Sequence, residues 1–184
     1  MTIISNNCLG AYTYNLLGLK YTSPFIWSQT FLYDILKIVK DAKDLNFQNI
    51  NLVSASNQYI PEKNSKNSYA VQLENGAKSY FIHYKDKNLT ESNWLRRSER
   101  IDKNNLIFYL MSSKPKIDTI ELVNEIKEEC LIRNYKFIYL NTNKDTTFLG
   151  KDYSDYIEFT DNKCPSKLAK LALPYFKHEI DILE

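Results

Sequence analysis

The sequence predicts an α/β fold in three layers, with a mostly parallel β-sheet between helices and a local antiparallel hairpin at about residues 69–84. Short β-branched or aromatic segments alternate with helical segments at the start of the chain and throughout its second half, which is typical of βαβ units. Between two apolar segments, Asn75-Gly76 indicates a tight hairpin turn. No repeat or long linker divides the 184 residues, so we expect one domain over 1–184.

The first half of the chain predicts a strand, two helices, a second strand and the hairpin. Gly18 ends the first helix, and Ser23-Pro24 is typical of a helix N-terminus, which predicts a second, longer helix. The expected segments are strand 2–5, helix 11–17, helix 23–45, strand 50–53 and hairpin strands 69–73 and 79–84.

The second half alternates strands with helices. Thr90 is the expected N-cap of the helix that follows the hairpin, and Pro174 is expected to kink the last helix. The expected segments are helix 91–101, strand 106–111, helix 118–133, strands 136–140 and 156–160, and helix 165–177.

Composition excludes several classes of function. The net charge of +2 is too small for the basic surface that nucleic-acid binding requires, so no nucleic-acid partner is expected. Four scattered glycines cannot form a dinucleotide or phosphate loop. Two histidines and three scattered cysteines predict neither a metal site nor a disulfide framework. With no signal peptide and no transmembrane segment, the sequence predicts a cytoplasmic protein with reduced thiols.

Two chemically capable residues, Cys8 and His83, fall at the carboxyl ends of expected strands, where ligands of α/β sheets bind. We expect their side chains to meet and to act as nucleophile and general base. A position before a helix N-terminus predicts a lowered pKa for Cys8. Asn6 and Asn7 could donate to an oxyanion or a sugar hydroxyl. The alternatives are a buried structural thiol, a histidine bonded to the backbone, and asparagines that serve the turn.

Arginine is scarce, and its distribution is informative. Of the four arginines, Arg96, Arg97 and Arg100 lie within five positions in a chain that otherwise uses lysine. The guanidinium fork suits phosphate or carboxylate recognition, so Arg97 and Arg100 are expected to bind an anionic group, with Trp94 packing beside them or stacking on a ring. The alternative is salt bridges to Glu99 or Asp102.

Three segments together resemble a bacterial α/β family, a domain of unknown function, that is labelled exopolysaccharide or capsular polysaccharide biosynthesis protein. They are residues 4–8 (ISNNC), 21–25 (YTSPF) and 81–84 (FIHY) followed by Trp94, Arg97 and Arg100-Ile101. The resemblance covers roughly residues 3–145. It implies a cytoplasmic protein of cell-surface polysaccharide assembly, without a reaction, and it adds Ser23 and Tyr84 to the expected ligand-binding residues.

The expected function is therefore a transferase that binds a phosphate-bearing activated donor and works at a Cys8–His83 crevice. Acyl transfer from a coenzyme A thioester and transfer from a nucleotide-sugar both stay open as the reaction. The alternative is a non-catalytic module that binds a glycan precursor or a partner of the same pathway. The sequence does not specify an oligomeric state.

Overall fold

A computed structural model describes residues 1–54, 69–81, 83, 86–112, 117–141, 156–158, 169–170, 173 and 176. It confirms the α/β class. The strands are β1 Thr2–Ser5, β2 Gln29–Thr30, β3 Ile50–Ser54, β4 Tyr69–Leu73, β5 Lys78–Phe81, β6 Leu106–Ser112, β7 Lys136–Asn141 and β8 Tyr156–Glu158. The helices are α1 Leu9–Leu17, α2 Leu32–Asp41, α3 Lys87–Ser98 and α4 Ile117–Ile132.

One sheet is parallel, with the strand order β1-β6-β7-β8. Because successive side chains of a strand point to opposite faces, β6 contributes alternately to two cores. Phe108 packs in the core that includes buried residues of α2 and α4, whereas Ile107 and Tyr109 pack in a second core with α1 and Phe176. Helical residues therefore cover both faces of this sheet, as expected for three layers.

The second sheet is antiparallel, with the strand order β2-β5-β4-β3. It contains the expected hairpin, whose turn has Gly76 at φ 79°, a left-handed conformation that glycine adopts without strain. The structure differs from the expectation in that the hairpin belongs to this separate sheet. Buried hydroxyls connect the edge strand β2, and Ser28 just before it, to β5. The Ser79 Oγ lies 2.8 Å from both the Thr30 Oγ1 and the Ser28 Oγ.

The prediction of one long helix from Ser23 to Leu45 is wrong. The chain turns at residues 24–27, passes through β2 and enters α2 only at Leu32. The Ser23 hydroxyl accepts a hydrogen bond from the Phe25 N–H at 3.3 Å, and Trp27 has a left-handed φ of 62°, which a helix does not allow. Strand pairing of β2 with β5 therefore overrides the local helix signal.

The prediction of Thr90 as an N-cap is also wrong, because α3 begins one turn earlier. The Asp86 carboxylate caps it by accepting a hydrogen bond from the Leu89 N–H at 2.7 Å, and Thr90 donates its hydroxyl to the Asp86 carbonyl inside the helix. At the end of the chain, residues 169–170, 173 and 176 are helical, and the rest of the helix expected at 165–177 lies outside the described residues.

Candidate functional site

The turn between β1 and α1 places Cys8 at the start of a helix. Ser5, the last residue of β1, donates its hydroxyl to the Asn7 carbonyl at 2.8 Å and accepts the Gly10 N–H at 3.2 Å. Glycine permits this approach, because a Cβ at position 10 would lie 2.6 Å from the Ser5 Oγ. Cys8 is the N-cap residue of α1, and its thiol makes no capping bond. The sulfur is thus available to a partner outside the helix.

That partner is His83. The Cys8 Sγ and the His83 Nε2 are 3.2 Å apart, although the residues are 75 positions apart in sequence. This confirms the expected contact, but the two residues follow strands of different sheets rather than one sheet edge. The exposed imidazole packs edge-on against Trp27, with ring centroids 5.7 Å apart, and Trp27 packs against Tyr12 at 5.3 Å. The pair therefore lies at the surface, beside two aromatic rings.

The expected lowering of the Cys8 pKa is wrong. Burial raises the pKa of the thiol to about 11, and a backbone hydrogen bond opposes only part of this effect. Desolvation disfavours the charged thiolate more than the helix N-terminus favours it. Cys8 is therefore a neutral thiol at neutral pH. Chemistry at the sulfur then requires a base to take the proton during the reaction, and the His83 Nε2 is within reach.

Asn7 serves the turn, which is one of the roles that the sequence left open, whereas the Asn6 side chain bonds a distant strand. The Asn6 side chain donates to the Met111 carbonyl at 2.8 Å and accepts the Met111 N–H at 2.9 Å, so it extends the pairing of β1 with β6. The Asn6 carbonyl accepts the Thr30 N–H at 3.1 Å and links the two sheets. Asn7 accepts the Leu9 N–H through Oδ1 at 2.8 Å. These bonds fix the position of Cys8.

Ser23 and Trp94, two of the expected ligand-binding residues, lie inside the fold. Both are fully buried. Trp94 donates its indole N–H to the Phe47 carbonyl at 2.7 Å and packs edge-on against Phe25, so it supports α3 by packing rather than by stacking on a ligand ring. Tyr84, another expected ligand-binding residue, lies outside the described residues.

The expected arginine cluster lines a cleft of about 270 Å³, here named the arginine cleft. Its lining residues are Asn15, Leu19, Lys20, Tyr21, Arg96, Arg97 and Arg100. Arg97 is only 5% exposed; its Nη1 donates to the Ile26 carbonyl at 3.2 Å and its guanidinium carbon lies 5.6 Å from the centre of the Tyr21 ring. Arg100 is exposed and donates to the Tyr21 carbonyl at 3.4 Å.

Salt bridges do not account for the exposed arginines. Asp102 pairs with the terminal amine of Met1 at 3.3 Å. In the part of the chain that the structure describes, no carboxylate lies within 4 Å of Arg96 or Arg100. Among the described residues that line it, the arginine cleft has four cationic side chains and no acidic one.

The thiol–imidazole pair and the arginine cleft lie at opposite ends of α1. Cys8 caps its N-terminus, and Asn15 lines the cleft near its C-terminus. Seven residues at about 1.5 Å of rise each separate the two by about 10 Å along the helix. Sequence reasoning missed Tyr12, Lys20 and Trp27. The spacing of Tyr12 four residues after Cys8 could have indicated a shared helix face, but nothing local indicates Trp27.

Comparison with protein families identifies the chain. Residues 1–128 match the family described as Domain of unknown function (DUF1919), and the chain belongs to this family. The match covers both the β1–α1 turn and the arginine cleft. No curated protein matches the chain in sequence.

Among the described residues, no group of three or more histidine, cysteine or acidic side chains is arranged to hold a metal ion. The helices in the described ranges include none with the length and apolar character needed to cross a bilayer.

Proposed function

We propose that the protein is a transferase in which Cys8 is the nucleophile and His83 the general base. The contact of 3.2 Å between Sγ and Nε2 carries this proposal, because it is within reach for direct proton transfer between the two side chains. The exposed imidazole gives a substrate access to the pair. A neutral thiol next to a base suits an acyl group, whose carbonyl carbon accepts the sulfur as the proton leaves.

The proposed reaction has two balanced steps. Cys8 Sγ bonds to the carbonyl carbon of a thioester while its proton passes to His83 Nε2; the carbon–sulfur bond of the donor then breaks, and the departing thiolate takes that proton. In the second step a hydroxyl of the acceptor attacks the acyl-cysteine. His83 takes the hydroxyl proton and returns it to the Cys8 sulfur. The acceptor in this proposal is a hydroxyl of a cell-surface polysaccharide precursor, which is what the resemblance of the three sequence segments implies.

Trapping of the acyl-enzyme tests this proposal. The protein is mixed with the acetyl thioester of N-acetylcysteamine, and peptide mass spectrometry locates any added acetyl group. We expect the acetyl group on Cys8, none at this position in Cys8→Ala, and acylation slower by about 10²- to 10⁴-fold in His83→Asn. His178→Asn replaces the chain's other histidine and is the matched control. An acetylation rate that His83→Asn leaves unchanged would contradict the proposed pair.

One observation favours a second candidate, a non-catalytic module that binds a glycan precursor or a partner. With the pKa of Cys8 raised to about 11, the thiol is nearly all protonated and unreactive without help at neutral pH. A module would bind the same glycan fragments in wild type and in Cys8→Ala and would form no acyl-enzyme. Calorimetric titration of both proteins with such fragments, next to the trapping experiment, separates the two candidates.

A further inference from the structure

The arginine cleft has an electrostatic property that acyl transfer at Cys8 alone leaves unexplained. Lys20, Arg96, Arg97 and Arg100 converge on one open volume of about 270 Å³. Cationic side chains that line one volume favour the binding of an anion there. Arg97 is 95% buried and is held by the Ile26 carbonyl and the Tyr21 ring. One cation of the cleft is therefore fixed in place by the protein interior before any ligand binds.

A continuous surface leads from this cleft to the reactive pair. Tyr12 lies four residues after Cys8, and Asn15 lies three residues after Tyr12. This spacing places all three on one side of α1. Asn15 lines the cleft, whereas Tyr12 contacts Trp27, whose ring contacts His83. Two apolar side chains near the C-terminal end of α1, Leu16 and Leu19, are 36% and 41% exposed. Exposed apolar side chains therefore lie at the cleft end of α1, and Leu19 is itself one of the cleft's lining residues.

We propose that the donor is an acyl-coenzyme A, with its phosphates in the arginine cleft, its pantetheine arm along α1 and its thioester at Cys8. This inference rests on the proposed transferase function. Along the axis of α1, Cys8 and the cleft residue Asn15 are about 10 Å apart. A pantetheine arm has about as many chain bonds as four or five residues and reaches about 15 Å when extended. A slightly bent arm therefore spans a distance of this length.

A nucleotide-sugar does not fit the same placement. Its reacting carbon is bonded directly to an oxygen of the diphosphate, so the phosphates and the reaction centre are neighbours. If its phosphates occupied the arginine cleft, its reacting carbon would lie far from both Cys8 and His83. The separation of the cationic end from the reactive end thus favours a donor whose phosphate and acyl group are joined by a long arm.

The test compares three acetyl donors that share the thioester and differ in the rest. Acetyl-coenzyme A has the complete nucleotide, acetyl-4′-phosphopantetheine keeps the arm and one phosphate, and acetyl-N-acetylcysteamine has no phosphate. The second-order rate constant for acetylation of Cys8 is measured with each donor. The variants are Arg96→Gln, Arg100→Gln and Arg100→Lys, chosen at exposed positions so that folding is retained, with melting temperatures as a check. Lys103→Gln, outside the cleft, is the control.

We expect wild type to prefer acetyl-coenzyme A over acetyl-N-acetylcysteamine by about 100-fold or more, because each charge-assisted contact contributes about tenfold or more. Each glutamine variant should reduce this ratio about tenfold, Arg100→Lys should reduce it less, and Lys103→Gln should not change it. If acetyl-4′-phosphopantetheine reacts with the same rate constant as acetyl-coenzyme A, the site recognises only the arm and its phosphate, which coenzyme A and a carrier protein share. If it reacts more slowly, the site also recognises the nucleotide portion of coenzyme A.

The results that overturn the inference differ from those that overturn the proposed function. If the cysteamine thioester acetylates Cys8 but wild type shows no preference for acetyl-coenzyme A, the transferase proposal stands and the donor site is refuted. A preference that both glutamine variants leave unchanged likewise refutes the site. If no donor acetylates Cys8, both proposals fail.

Discussion

The raised pKa of Cys8 leads to a quantitative prediction about its reactivity. A free thiol has a pKa of about 8.5, whereas burial raises the pKa of Cys8 to about 11. At pH 7 this difference lowers the thiolate fraction about 300-fold. The more basic thiolate is the better nucleophile, and with a Brønsted coefficient of about 0.4–0.5 this recovers about tenfold. We therefore expect Cys8 of the variant His83→Asn, in which no imidazole can take the proton, to react with a small alkylating reagent about 30-fold more slowly than free cysteine.

The assay is alkylation of His83→Asn by iodoacetamide between pH 6 and pH 12, with each cysteine quantified by peptide mass spectrometry. The rate at Cys8 should rise about tenfold per pH unit and level off near pH 11. Cys130, which is fully buried and whose pKa is also raised by burial, is an internal reference and should stay unmodified while the protein is folded. A plateau at or below pH 8.5 would refute the conclusion that desolvation dominates the thiol.

Two further predictions concern the turn that positions Cys8. Gly10→Ala should lower the free energy of unfolding by about 1–3 kcal/mol in urea denaturation, because the new Cβ would lie 2.6 Å from the Ser5 Oγ; unchanged stability would show that α1 shifts away freely. Asn6→Ala should cost about 1–3 kcal/mol in the same assay, since it removes two side-chain hydrogen bonds to β6. Asn104→Ala, at an exposed turn, is the control for Asn6→Ala. An equal loss of unfolding free energy in these two variants would contradict the proposed role of Asn6.

The sequence predicted the contact between Cys8 and His83 from the strand ends that precede them, but it did not predict that the strands belong to different sheets. Each of Cys8 and His83 follows a strand with a clear β-pattern, and the ends of strands are where such side chains collect. The prediction held although the strands belong to two sheets. Buried hydroxyls accompany the pairing of β2 with β5. Ser79 contacts Thr30, 49 residues away, and Ser28, 51 residues away. No local sequence pattern encodes such contacts.

The remaining differences have the same origin in long-range contacts. The pKa of Cys8 is set by burial, which depends on the packing of the whole fold. Asn6 appeared to be a turn residue or a ligand donor, but its partner Met111 is 105 positions away. The arginine cluster follows from composition, whereas Lys20 joins it only through the fold, which brings the segment after α1 to the same cleft.

The central claim is that His83 removes the proton of the Cys8 thiol during attack, and the pH dependence of acylation tests it most directly. Acetylation of Cys8 by the N-acetylcysteamine thioester is measured between pH 7 and pH 11 for wild type and His83→Asn. Without a base, the rate depends on the small thiolate fraction and should rise about tenfold per pH unit up to about pH 11. Wild type should be faster by about 10²- to 10⁴-fold at pH 7 and should converge with the variant as the thiol ionises. Parallel profiles over the whole range would show that His83 does not take the proton and would contradict the mechanism.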